Sequence, residues 1–267
     1  MPEQLPFTAL LNRIFAGPVD ALLRALHIQP EFPQAPIPNA VAMEVLVVGF
    51  LILVFLLLRA RLSVENPGGI QHIFEGLHGF IQQQSREIIG HHSESYTPFL
   101  VALGLFILTC NLIGLIPAFE SPTGVSPTVP LGCAIAAWIY YHVQGVKRQG
   151  VLHYAKHFAG PMPALAPLMI PIEIISHLAR MLSLTIRLFA NMFAGDMVTL
   201  VFFSLVPIGV PIIFMGLHIG VSFLQSYIFV LLVTVYLSGA VATEHKNQLS
   251  VLSCQLSAIP QPAFADN

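Results

Sequence analysis

The chain is short of charge. Asp, Glu, Lys and Arg make up only 9% of its 267 residues, where an ordinary soluble domain carries about 25%. A formal net charge of −2 gives no electrostatic reason to expect nucleic acid. Cysteine is scarce as well. Cys110, Cys133 and Cys254 are odd in number and far apart, which excludes a disulfide framework; the first two read as small apolar residues in membrane helices. There is no phosphate-binding GxxxxGK[ST] loop, no GxSxG elbow and no HExxH, so any nucleotide or hydrolytic chemistry must sit on partners. The start of the chain has Glu3, Asn12 and Arg13 and no long apolar core before Pro30, and does not read as a cleaved signal peptide. No transporter-type internal repeat and no long low-complexity run is visible. What the chain has in excess is apolar surface: 55% hydrophobic residues and a mean hydropathy of +0.78. It reads as an all-α polytopic membrane protein.

Residues 5–27 are roughly amphipathic, with Gly17-Pro18 as an interruption, and suit one or two short interfacial helices. Pro30, Pro33, Pro36 and Pro38 make an extended linker, so residues 1–39 form an interfacial arm. Ala40 to Leu58 is long enough to span, since the hydrocarbon core demands about 20 apolar residues. Arg59 and Arg61 follow and mark that end as cytoplasmic. A second segment opens at Asn66-Pro67, and Ile70, Ile73, Phe74, Leu77, Phe80 and Ile81 recur at helical spacing beside polar Gln82 to Arg86. It is too polar to span and is expected to lie flat on the cytoplasmic surface. Tyr96 to Ile116 crosses outward, and residues 117–127 form a short external loop. Thr128 to Val146 returns, with Trp138, Tyr140 and Tyr141 as an interfacial belt, and ends at Lys147-Arg148. Two long segments follow, about 163–205 and 208–245, with Pro207, Gly209 and Pro211 between them. Pro171 to Val206 as one helix is roughly 54 Å long, while the core is about 30 Å thick. These helices are either broken or steeply tilted, and the tilted hairpin is the favoured reading. The Lys/Arg distribution then gives about five crossings, an outer N-terminus and a cytoplasmic C-terminus. The membrane unit covers residues 40–246 and a polar tail covers 247–267.

The first long segment carries the costly residues. Glu173, His177, Arg180, Ser183, Arg187 and Asn191 follow steps of 4, 3, 3, 4 and 4, which is one helix face. Such a stripe does not face lipid; it faces protein or water and marks function. Asp196 lies about half a turn round from it. On the second segment His218, Ser222 and Gln225 share a face. In an antiparallel hairpin, residues at equal depth have numbers with a constant sum. Asp196 and His218 are symmetric about 207, and Arg187 and Gln225 about 206, both at the expected turn. Asp and His can exchange protons near neutrality. Arg cannot deprotonate, its pKa being above about 12, so Arg187 is a fixed charge and not a relay. A proton path on either side of a fixed cation amounts to two half-channels and a barrier. Glu173, Ser176 and His177 would serve the cytoplasmic half, Asp196 and His218 the outer half. Arg180 reads equally as a snorkelling or Glu173-paired residue, and His177 equally as an interhelical hydrogen-bond partner. Solvated loop histidines are the favoured reading of His91, His92, His153 and His157, ahead of a metal site, and no metal is expected.

The run Leu182-Ser183-Leu184-Thr185-Ile186-Arg187-Leu188-Phe189-Ala190-Asn191-Met192-Phe193-Ala194-Gly195-Asp196 resembles the signature of ATP synthase subunit a, the stator channel beside the rotating c-ring. Gln225 to Val230, Val235-Tyr236-Leu237 and Asn111 to Pro117 fit the same family, and the likeness runs from about Ile37 to His245. The resemblance implies that Arg187 meets the c-subunit carboxylate and blocks proton short-circuiting. It implies that Asn191 and Gln225 line the path beside it, with Ser183 and Ser222 on the same faces. Asp196 and His218 match the outer pair, and Glu173 the cytoplasmic-side acid. It implies a non-catalytic subunit of the bacterial inner membrane with no cofactor, whose partners are the c-ring, the b-subunit stalk and the rest of the synthase. The chain departs from the pattern at Asp196, where bacterial relatives commonly have Glu; the shorter side chain is expected to reach His218 through water. A self-contained secondary ion transporter is the alternative, and would need inverted repeats and broken half-helices at the midplane.

Overall fold

The computed structural model describes residues 5–25, 36–62, 68–90, 93–116, 119–151, 154, 166–205 and 209–241. Among these residues the chain is helical, without strands: α1 (Pro6–Ala25), α2 (Asn39–Ala60), α3 (Gly69–Ile89), α4 (Thr97–Ile113), α5 (Pro122–Val125), α6 (Thr128–Gln149), α7 (Ala166–Leu205) and α8 (Val210–Val241). The protein is an all-α membrane protein. Helices α2, α7 and α8 are long and apolar enough to cross a bilayer, and α4 is a shorter apolar helix. Phe50, Leu53, Leu56 and Leu57 of α2 are all more than half exposed. Hydrocarbon, not water, is the solvent such a surface fits.

The arm is one helix, not two short ones. Pro18 lies inside α1 without ending it. Asn12 ties the arm to the chain ahead of α2: its amide donates to the Ile37 carbonyl at 3.1 Å and its oxygen accepts the Ile37 N–H at 3.1 Å. Pro30 and Pro33 fall outside the described residues, as does the tail 247–267.

Helix α3 packs along α4 and α8. Its expected apolar stripe is only partly used. Ile81 is buried, whereas Ile70, Ile73 and Phe80 are exposed. Ser238 on α8 donates to the Ile88 carbonyl at 2.9 Å, which fixes the far end of α3. The stretch expected as a plain external loop folds inward instead. Ser121, Pro122, Thr123 and Gly124 are buried, and α5 packs against α7 and α2. A hydroxyl chain holds it there: Thr123 donates to the Asn111 oxygen at 2.7 Å, and Ser121 donates to the Cys110 carbonyl at 3.2 Å. Backbone polar groups need internal partners inside a bilayer, and these side chains supply some of them.

The two long helices are unbroken. Helix α7 has 40 residues with Pro171 inside its first turns, and α8 has 32. At 1.5 Å per residue α7 is roughly 60 Å long, twice the hydrocarbon thickness. The expected turn at Pro207 lies outside the described residues, but Gly209 beside it has φ 93°, a left-handed angle that glycine adopts without strain. Helices α4, α6 and α7 converge on α8, with Leu100, Ile107, Ala134, Leu184, Leu188, Met192, Phe229 and Val233 in the shared core. Gly104 lets α4 and α8 approach: a Cβ there would meet Val230 at 2.9 Å, and Ser226 donates to the Gly104 carbonyl at 2.7 Å.

Asn12→Ala removes both hydrogen bonds between Asn12 and Ile37, each worth on the order of 1 kcal/mol. Limited proteolysis of the purified protein is expected to cut the arm several-fold faster in this variant, with the helical hairpin still resistant.

Candidate functional site along the long hairpin

The packing of α7 divides the polar stripe. Leu184, Leu188 and Met192 form its buried line. Relative to that line, at 100° per residue, Arg187 and Asp196 fall on opposite flanks. His177 is buried, Glu173, Ser176 and Arg180 are half-buried, and Ser183, Arg187 and Asn191 are exposed. The sequence stripe is therefore two surfaces: an inward-turned group near the start of α7 and an open face around Arg187.

Near the turn between the long helices, Asp196 Oδ1 lies 3.7 Å from His218 Nδ1. That is ion-pair distance but longer than a direct hydrogen bond. Two glycines make the approach possible. A Cβ on Gly195 would meet His218 Nδ1 at 2.7 Å, and one on Gly124 would overlap the Asp196 carboxylate. The pair opens into a cavity of about 530 Å³ whose wall includes Glu120, Ser121, Phe193, Thr199 and Met215. His218 Nε2 and Gln225 Nε2 have no hydrogen-bond partner among the described residues, although both residues are buried. Of the two residues, His218 lines the cavity and Gln225 does not.

In the middle of the hairpin, Asn191 Nδ2 donates to Gln225 Oε1 at 2.7 Å. Equal-depth pairing on sequence numbers matches Gln225 with Arg187; the contact is made by Asn191, one turn nearer the loop. Ser222 donates to the His218 carbonyl of its own helix at 2.8 Å and reaches Met192 Sδ at 3.9 Å, so its hydroxyl is engaged within the hairpin. Arg187 is exposed and makes no hydrogen bond or ion pair among the described residues. Its neighbours on that face, Ser183, Ala190, Asn191 and Ala194, are small or polar and also exposed. Small side chains are what allow another helix to come close in a membrane.

At the start of α7, Glu173 Oε1 lies 3.2 Å from His177 Nε2, and the Tyr141 hydroxyl lies 3.0 Å from His177 Nδ1. The His142 ring is 4.7 Å from the His177 ring, and His142 Nδ1 is 2.6 Å from the Tyr154 hydroxyl. Burial pushes the Tyr154 phenol above its usual range, and the nearby Glu173 carboxylate adds to the shift. Arg180 does not pair with Glu173. It lies 5.4 Å over the Tyr236 ring, a cation–π contact.

Sequence reasoning missed Tyr141, His142 and Tyr154 in this group, and Glu120 in the cavity. Tyr141 read as an interfacial belt residue, and its helix carries no stripe that points to α7. His91, His92, His153 and His157 lie outside the described residues. Among the described residues, no cluster of three or more His, Cys, Asp or Glu is arranged to hold a metal ion.

Fold and site together define an all-α membrane protein with ionisable groups set along its two longest helices. A family model described as ATP synthase A chain matches residues 41–238. The chain is similar to ATP synthase subunit a of Koribacter versatilis, 57% identical over 92% of this chain and the whole of that protein. It is similar to ATP synthase subunit a of Solibacter usitatus at 53% identity over 88% of this chain and the whole of the relative. ATP synthase subunit a of Geobacter sulfurreducens is 39% identical over 84% of this chain and 94% of its own. The chain belongs to the ATP synthase A chain family.

Gly195→Ala and Gly124→Ala force atoms into occupied space at the Asp196–His218 pair. Overpacking of this kind costs on the order of 1–3 kcal/mol. A thermal melt of the purified protein is expected to show both variants several degrees below the parent. Gly49→Ala, with nothing within 4 Å of its Cβ, is the control and leaves the melt unchanged.

Proposed function

We propose that this chain is the stator of the synthase membrane sector, forming two proton half-channels beside the c-subunit ring. Arg187 is the charge barrier between them and faces the ring carboxylate. The observation that carries the reading is the state of Arg187. It is an intramembrane guanidinium without a partner among the described residues, on a face of small side chains, with a carboxylate–imidazole pair to either side of it along the chain. A cation left unpaired in a bilayer is costly and calls for a counter-charge. In this reading the ring carboxylate is that counter-charge.

The outer half runs through the cavity at Asp196 and His218 towards Asn191 and Gln225. The cytoplasmic half runs past Ser183 and Ser176 to Glu173 and His177. A proton enters one half, neutralises a ring carboxylate, and leaves through the other half only after the ring has turned. Arg187 cannot pass a proton, so the two halves communicate through rotation alone. Each charge that crosses carries about 2.3 kcal/mol per 100 mV of membrane potential. The subunit itself is non-catalytic; ATP is made elsewhere in the complex. Residues 40–246 form the membrane unit, with about five crossings, an outer N-terminal arm of residues 1–39 and a cytoplasmic tail of residues 247–267 in the bacterial inner membrane. The long hairpin lies steeply tilted against the ring, since a 60 Å helix does not fit upright in a core of about 30 Å. The b-subunit stalk holds the stator in place. The unbroken α7 and α8 weigh against a self-contained transporter, whose site would need interrupted helices.

Arg187→Ala, assembled into the complete complex in vesicles, is expected to abolish ATP synthesis driven by a proton gradient. Asp196→Ala and His218→Ala are expected to slow it without abolishing it, because water can partly fill their places in the cavity. Synthesis at the parental rate in Arg187→Ala would refute the proposal.

A further inference from the structure

The group at the start of α7 contains more than the two residues assigned to the cytoplasmic half-channel. His177 is 8% exposed, so neither ring nitrogen can rely on water. Its Nε2 faces Glu173 at 3.2 Å and its Nδ1 faces the Tyr141 hydroxyl at 3.0 Å. A carboxylate can only accept a hydrogen bond, while a phenolic hydroxyl both donates and accepts. When Glu173 is ionised and the ring neutral, Nε2–H donates to Glu173 and Nδ1 accepts from Tyr141. When the ring is charged, both nitrogens donate, and Tyr141 turns its hydroxyl to accept. In neither state is a buried nitrogen left open, which would cost about 1–3 kcal/mol.

We infer that Tyr141 is a positioning residue for the cytoplasmic half-channel. By serving His177 in both protonation states, and the charged state more strongly because a charged donor makes the stronger hydrogen bond, it lets the Glu173–His177 pair hold and release one proton. This rests on the half-channel reading above. Among the described residues, the other titratable and charged groups in this cluster are His142 on α6, Tyr154 beyond it, Arg180 on α7 and Tyr236 on α8. Arg180 is turned onto Tyr236, and His142 is joined to Tyr154. Tyr141 is itself 2% exposed and packs against Tyr236 and Leu237, so its hydroxyl is held at the ring. The pair near the turn is built differently. His218 Nε2 has no protein partner among the described residues. The two halves thus use the same chemical pair, but only at His177 does protein engage both ring nitrogens.

The test uses the complete complex in vesicles, with the pH on the two sides set independently during gradient-driven synthesis. Tyr141→Phe keeps the ring and removes the hydroxyl that accepts from the charged imidazole. It is expected to lower synthesis several-fold at a cytoplasmic-side pH of about 7.5 and to move the cytoplasmic-side midpoint to lower pH by on the order of 0.5–1 unit. The outer-side profile should stay in place. His177→Gln retains a donor for Glu173 and an acceptor for Tyr141 but cannot take a proton; it should flatten the cytoplasmic-side profile. A parental cytoplasmic-side profile in both variants overturns the inference, and so does a loss of the same size at every pH. Retained synthesis in Arg187→Ala would instead refute the half-channel reading, whatever Tyr141→Phe does.

Discussion

A guanidinium cannot give up its proton, and a bilayer does not tolerate it alone. That constraint at Arg187 orders the rest of the hairpin. The buried line of α7, Leu184–Leu188–Met192, turns Arg187 outward onto a face of small residues and turns Asp196 to the opposite flank. One packing decision therefore separates the fixed charge from the titratable pair. Without that separation, Asp196 would be the natural counter-ion of Arg187, and the charge would be spent inside the chain.

The second requirement is that α8 bring its polar face to α7 at matching depth. His218, Ser222 and Gln225 are all buried on that face. Glycine at 195 and 124 gives the imidazole and the carboxylate room, and the inward-folded α5 closes the cavity wall around them. The loop between α4 and α6 thus lines the cavity beside Asp196 and His218, held by Asn111, Ser121 and Thr123.

Much of this was legible in the sequence, for stated reasons. The stripe on α7 announces itself because polar residues are rare in membrane helices. The Asp196–His218 match follows from the arithmetic of an antiparallel hairpin, which needs only the position of the turn. The same arithmetic missed by one turn at Gln225, where Asn191 makes the contact, because depth alone ignores which flank a side chain occupies. Tyr141, His142 and Tyr154 were not legible as a group. Their meeting with α7 depends on how α6 docks, and no periodicity within α6 encodes that. Arg180 could have reached Glu173 by helical spacing, yet an aromatic face from α8 took it. The inward fold of residues 119–125 was hidden because its polar residues look the same in a solvated loop as in a buried hydroxyl chain.

The two carboxylate–imidazole pairs flank Arg187 along the hairpin, and the role proposed for Arg187 is that of the barrier between them. The most direct measurement is passive proton flux in vesicles holding the complete complex, under a clamped membrane potential and with ring rotation blocked. If Arg187 is what keeps the half-channels apart, the parent complex stays tight and Arg187→Ala conducts protons without turning. An Arg187→Ala complex as tight as the parent would contradict the account.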